Sequence, residues 1–251
     1  MDMPAATMSR KYLAFDLETA KELAGDFSGW RAHRPLGITC AATCAQDAEP
    51  RLWHSRTPEG APARRMTQAD LQSLASYLSI MASQGYTIVT WNGASFDFDI
   101  LAEESGSHTL CRSCAEQHVD MMFHLVCLMG FGVSLAKAAE GLGLAGKADG
   151  MCGSLAPKLW AAGEFERVLL YVAQDVRLTL QIAVECERRG EFAWITKSGS
   201  RRTQPLPGGW HCVREALGLP LPDLANITRP IHREESLAWM QAVIPSTCGI
   251  S

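Results

Sequence analysis

Residues 11 to 20, KYLAFDLETA, place two carboxylates, Asp16 and Glu18, at the end of an otherwise apolar run. In an extended strand, residues i and i+2 project from the same face, so the two acids point together. Like charges on a half-buried face repel one another and resist desolvation. Such a pair persists where a cation, a proton or a strong hydrogen-bond network compensates it. Either the pair marks the exposed end of a strand, or the chain folds so that this strand end meets such a partner.

The rest of the chain can supply that fold. With 251 residues, 47% of them hydrophobic, it is long enough to bury a full core, and one domain with a smaller appendage is expected. Strands are predicted over 12–17, 36–45 and 50–55, the last two antiparallel across QDAE. Leu71, Leu74, Leu78 and Met81 recur at helical spacing within 66–85. Thr67 is the candidate N-cap of this helix and Gly85 its stop. A β-branched strand over 86–91 and a helix from about Phe96 follow. Residues 118–131 read as a short strand running into a helix, and 134–144 as a short helix closed by Gly143. The longest helix spans 163–189. Three early strands followed by alternating helices and strands give an α/β fold, a mixed sheet flanked by helices. Composition turns rich in Pro, Gly and Ser over 198–224. A boundary is therefore expected near 190, with a domain over 10–190 and a small C-terminal appendage over 191–251 built of short helices.

Two further segments carry acids where plain surface decoration explains them poorly. In TWNGASFDFDIL, 90–101, a strand ends in Asn-Gly and a helix begins near Phe96. An acid in a helix's first turn is favoured by the helix dipole, so Asp97 and Asp99 each have a local explanation. Asp97, directly after Phe96, is the one expected to aim into a cleft. In LLYVAQDVRLTL the longest helix sets Tyr171 and Asp175 at i and i+4, on one face, among leucines and valines.

Together, D-x-E-T, N-G-x-x-F-D and Y-x-x-x-D resemble the three motifs of the DEDD (DnaQ-like) 3′-to-5′ exonuclease superfamily, from residue 12 to about 187. Leu170, not His, stands five residues before Asp175, and Tyr171 stands four before it. The chain is therefore similar to the tyrosine subclass, which includes the proofreading domains of B-family DNA polymerases and their free-standing relatives. The resemblance implies a ribonuclease H-like five-stranded mixed sheet. It also implies a two-metal hydrolase using Mg²⁺ or Mn²⁺, with Asp16, Glu18, Asp97 and Asp175 as metal ligands and Tyr171 orienting or helping to deprotonate the attacking water. It implies release of nucleoside monophosphates from single-stranded nucleic acid, DNA ahead of RNA. Thr19 and Asn92 would contact the terminal nucleotide, and Phe96 is either a base-stacking wedge or core. A non-catalytic binding module of the same fold is disfavoured because all four acids and the tyrosine are present. An exoribonuclease or oligonucleotide-degrading enzyme uses the same residues, since deoxyribose and ribose are told apart by pocket contacts at the 2′ position.

A net charge of −4 argues against a globally basic nucleic-acid coat. One basic stretch, 188–202, carries Arg188, Arg189, Lys197, Arg201 and Arg202 with Phe192 and Trp194 between them. It offers a backbone contact with Trp194 as a stacking face, or a solvated helix end with both aromatics packed on the domain. His108, Cys111, Cys114 and His118 have a spacing that suits either Zn²⁺ or a polar helix. The N-terminus lacks the basic and apolar regions of a secretory signal, and the apolar run 168–184 is broken by Gln174, Asp175 and Arg177. Nine scattered cysteines suit reduced thiols. A cytoplasmic protein without membrane partners is expected, with the C-terminal appendage as the surface for any protein partner.

Overall fold

The computed structural model describes residues 10–23, 29–146 and 152–241. Its strands β1 (Lys11–Thr19), β2 (Ile38–Ala45), β3 (Arg51–Trp53), β4 (Tyr86–Thr90) and β5 (Val119–Asp120) form one mixed sheet of order β3-β2-β1-β4-β5. β1 pairs antiparallel with β2 and parallel with β4, while β2–β3 is antiparallel and β4–β5 parallel. The strand that carries Asp16 and Glu18 is therefore central. Its neighbour β2 starts at Ile38 and not at Leu36, because Gly37 sits in the left-handed region (φ 65°) and extended pairing begins only after it.

Alternation along β1 divides the molecule into two cores. Leu13, Phe15 and Leu17 pack on one side with Leu71, Leu74 and Leu78 of α1 (Gln68–Ser83), Phe98 and Leu101 of α2 (Asp97–Ser105), and Ala115 of α3 (His108–Gln117). Tyr12 and Ala14 pack on the other. There they meet Val168, Val172, Val176 and Ile182 of the longest helix (Phe165–Arg189) and Leu135 and Leu142 of a shorter one, Leu135–Leu142. In chain order the helices after α3 are α4 (Met121–Met129), α5 (Leu135–Leu142), α6 (Ala156–Ala161) and α7 (Phe165–Arg189). Each buried Leu, Val or Phe contributes about 1.5–3 kcal/mol, so both faces of the strand are strongly specified. The same alternation turns Asp16 and Glu18 toward α7.

Local signals act where the sequence places them. The Thr67 side chain accepts the Asp70 N–H at 3.2 Å and caps α1, and Gly85 follows the helix with φ 88°. Beyond α7, Gly190 (φ 68°) turns the chain into a hairpin of β6 (Glu191–Ile195) and β7 (Arg201–Pro205). Short helices α8 (Val213–Ala216), α9 (Arg233–Ser236) and α10 (Ala238–Gln241) follow. Phe192, Leu206 and Trp210 fill the α7 core, while Val213, Ala216, Leu237 and Met240 fill the opposite one. Residues past 190 thus share both cores of the sheet. Among the described residues no helix is long and apolar enough to cross a membrane.

The hairpin lies very close to α5. A Cβ placed at Gly141 would stand 2.2 Å from the Cα of Trp194, a backbone atom that cannot move aside alone. Gly141→Ala should therefore lower the unfolding free energy by about 1–3 kcal/mol, although alanine is the better helix former. Urea denaturation checks this; equal or greater stability in the variant would show that β6 is not held against α5.

Candidate active site

Three elements deliver side chains to one cavity of about 250 Å³. The end of β1 brings Asp16, Glu18 and Thr19, the β4–α2 turn brings Asn92, Phe96 and Asp97, and α7 brings Tyr171 and Asp175. Of the residues expected at the site, Trp194 alone does not line this cavity. A larger cleft, about 540 Å³, mixes Arg56 and Arg167 with Glu164 and Glu166 and gathers no comparable set of acids.

The backbone at each element explains the aim of its side chains. Opposite the end of β1, the register with β2 skips Thr39, whose hydroxyl donates to the Glu18 carbonyl at 3.1 Å. A bulge of this kind bends and twists a strand locally and re-aims its neighbours. The Leu17 N–H donates to Asp97 Oδ1 at 3.0 Å and ties β1 to α2. Before Asp97 the chain makes a tight turn. Asn92 is left-handed (φ 73°), and a Cβ at Gly93 would meet Thr90 Oγ1 at 2.5 Å. Asp99 belongs to a different cluster, held by Arg31 at 3.1 Å and Arg34 at 2.5 Å. Phe96 both lines the cavity and packs edge-on against Trp30, with centroids 5.1 Å apart.

Burial and like charge govern the electrostatics. Burial pushes the Asp97 carboxyl from its ordinary 3.8 up to about 7; the Leu17 N–H opposes the rise and the Asp120 charge adds to it. Burial also drives the Tyr171 phenol far above its usual range. The charges of Asp175, Glu18 and Asp16 and a hydrogen bond with Asp175 push it further, so the phenol keeps its proton. Tyr171 is thus a hydrogen-bond donor or orienting group and not a base at neutral pH.

The donor set is four carboxylates, which suits hard divalent cations. Among the described residues no group of three or more His, Cys, Asp or Glu side chains is gathered into metal-binding geometry. Mg²⁺ does not require one, since it takes one or two protein carboxylates and completes its shell with waters and substrate phosphate. The zinc alternative lacks support for a different reason. Cys111 and Cys114 are buried in α3, with burial pushing their thiols up to about 12 and about 11. His118 is buried between Thr90 Oγ1 at 2.9 Å and the Ala115 carbonyl at 2.7 Å, and burial holds its pKa down at about 4.

Trp194 lies away from the cavity, stacked on Phe192 with centroids 5.5 Å apart and edge-on to Phe131. Of the two alternatives for 188–202, packing is the one its aromatics adopt. Three of the four arginines there pair locally: Arg188 and Arg189 with Glu185, and Arg201 with Glu191. One residue behind the site has no motif to announce it. Asp120, fully buried, accepts the N–H groups of Asn92, Ala94 and Phe123. Its sequence signal, an acid just before the apolar run MMFHLVCL, indicates only a helix cap.

Comparison with known proteins fits this architecture. Residues 63–186 match the family model RNase_H_2 of the RNase H superfamily. That match covers just under half of the chain, and the mixed five-stranded sheet has the ribonuclease H-like form. Among solved structures it is similar to a family B DNA polymerase from the archaeon Pyrobaculum calidifontis, at 18% identity and a TM-score of 0.51, over 71% of this chain and 24% of the polymerase. It is also similar to an apo exonuclease I, at 14% identity and a TM-score of 0.39, over 71% of this chain and 42% of that one. An exonuclease I from Methylocaldum szegediense gives 15% and 0.37, over 72% and 41%. The chain thus spans about a quarter of the polymerase and about two-fifths of the exonuclease I chains. No curated protein matches it in sequence.

Burial of Asp97 has a consequence for stability. An acid whose pKa is higher folded than unfolded binds more protons in the folded state between those two values. Its contribution to stability is then present at low pH and lost as pH rises from about 4 to about 7. Asp97→Asn keeps an oxygen for the Leu17 N–H and removes the titration. In metal-free buffer the variant should gain stability over the wild type as pH rises through that window. Parallel unfolding free energies across pH 4–8 would contradict the burial of an ionisable Asp97.

Proposed function

We propose that the protein is a metal-dependent 3′-to-5′ exonuclease that releases nucleoside monophosphates from single-stranded nucleic acid, DNA ahead of RNA. The observation that carries this is the meeting of Asp16, Glu18, Asp97, Tyr171 and Asp175, from three distant segments, on one cavity. Asp16, Glu18, Asp97 and Asp175 would hold two divalent cations, Mg²⁺ or Mn²⁺, which when bound would lower the pKa of the attacking water and stabilise charge on the leaving 3′ oxygen. The Tyr171 phenol keeps its proton, its O–H donating to Asp175, and its oxygen accepts a hydrogen bond that orients that water. Thr19 and Asn92 flank the acids and contact the terminal nucleotide, and the exposed edge of Phe96 offers a face for its base. A cavity of about 250 Å³ is at the small end of ligand pockets, suited to one terminal nucleotide and not to a duplex. The preference for DNA follows the N-G-x-x-F-D and Y-x-x-x-D motifs, which resemble those of proofreading domains.

The test uses 3′-labelled and 5′-labelled single-stranded DNA and RNA with Mg²⁺, Mn²⁺ or EDTA. Mononucleotides should leave the 3′ end, DNA should be consumed faster, and EDTA or Asp16→Ala should abolish release. Cleavage that persists in EDTA or in Asp16→Ala would overturn the mechanism. Tyr171→Phe, which removes only the hydroxyl, should lower kcat about ten- to hundredfold with KM nearly unchanged. A full-rate Tyr171→Phe enzyme would show that the phenol orients nothing.

A further inference from the structure

The proposed exonuclease needs Asp97 in a fixed place, yet Asp97 begins its helix just after a tight turn. We propose that Asp120 is the positioning residue for that turn and, through it, for Asp97; the inference rests on the exonuclease function proposed above. Asp120 closes β5 and precedes α4, so a buried acid there has an ordinary local explanation as the cap of α4. Its Oδ1 does accept the Phe123 N–H at 3.0 Å. That cap occupies only part of the carboxylate. Oδ1 also accepts the Asn92 N–H at 2.9 Å, and Oδ2 accepts the Ala94 N–H at 2.8 Å. Two of its three bonds therefore reach back to a different segment.

That segment needs holding. Asn92 is left-handed at φ 73°, which asparagine adopts more readily than other non-glycine residues, and Gly93 leaves no room for a Cβ beside Thr90. The same turn is gripped from the other side. The Ala94 carbonyl accepts the indole N–H of Trp239, in α10, at 2.8 Å, and the Gly93 N–H is taken by Thr90 Oγ1 at 3.1 Å. From the turn, hydrogen bonds lead into the site: Phe96 N–H to the Asn92 carbonyl at 3.1 Å, and Phe98 N–H to the Gly93 carbonyl at 2.9 Å. Asp97 lies between those two amides and meets β1 through Leu17. A shift at residues 92–94 is thus passed to Asp97, while α4 needs only the Phe123 bond.

Asp120→Ser separates the two roles, because serine is a good helix cap but is too short to span the turn. Asp120→Asn keeps the two Oδ1 bonds and loses the one to Ala94. Trp239→Phe loses the one to the Ala94 carbonyl. Amide exchange is read at residues 92–98 and across α4, Mn²⁺ affinity by electron paramagnetic resonance without substrate, and kcat and KM on the substrate found above. In Asp120→Ser, protection should fall at 92–98 and persist in α4, Mn²⁺ should bind more weakly, and kcat should drop about ten- to hundredfold with KM little changed. Asp120→Asn and Trp239→Phe should show smaller changes in the same direction. Unchanged protection at 92–98 in Asp120→Ser would overturn the proposal, as would activity lost only in proportion to unfolded protein. A wild type that degrades no substrate would sink the exonuclease function, and the exchange measurement would still decide the role of Asp120.

Discussion

Alternation along β1 is the constraint on which everything else depends. Leu13, Phe15 and Leu17 enter the core under α1–α3, while Tyr12 and Ala14 enter the core under α7. A slip of one residue would exchange the two sets and bury Asp16 and Glu18 among leucines. Both faces of this central strand are packed, so its register is fixed twice over, and the acids are carried to the α7 side by the same packing that stabilises the domain. The fold does not have to recruit them separately.

What the fold then tolerates is an electrostatically unfavourable place. Asp97 and Asp120 are both buried and both pushed toward the neutral form by burial, and three neighbouring acids raise the pKa of Tyr171. The compensation visible in the protein is backbone N–H donation: one bond to Asp97 and three to Asp120. The backbone is tight in the same place, with Asn92 left-handed and no room for a Cβ at Gly93 beside Thr90. Buried charge and this turn lie side by side. Residues from β5 and α10, remote in sequence, hold that turn.

The segment after Gly190 shows how tertiary packing reassigns features that look functional in one dimension. Arg188, Arg189 and Arg201 form ion pairs with Glu185 and Glu191, and Phe192 and Trp194 stack beside α5. Surface pairs of this kind contribute little each. Burial of the aromatic rings stabilises the hairpin more, and it makes β6 part of the α7 core. Likewise the cysteines of α3 that suggested a metal face the apolar interior, where a protonated thiol packs as a small hydrophobe.

The sequence by itself determined what depends on short-range periodicity. Asp16 and Glu18 share a face because strands alternate, Tyr171 and Asp175 share one because helices repeat every 3.6 residues, and the sheet follows from the order of apolar segments. That these residues share one site was expected only from the resemblance of D-x-E-T, N-G-x-x-F-D and Y-x-x-x-D to the exonuclease motifs, since periodicity sets the face of a side chain and not its distant neighbours. Tertiary structure alone decided what depends on distance through space. Asp120 looked like a helix cap because its two remaining partners, Asn92 and Ala94, lie more than twenty residues earlier. Trp239 could not be read at all as a partner of Ala94, 145 positions away. Trp194 was open between stacking surface and core, and the packed chain sets its half-buried ring on Phe192 and Phe131, away from the cavity. Local pattern sets which way a side chain faces, and only the packed chain sets which group it meets there.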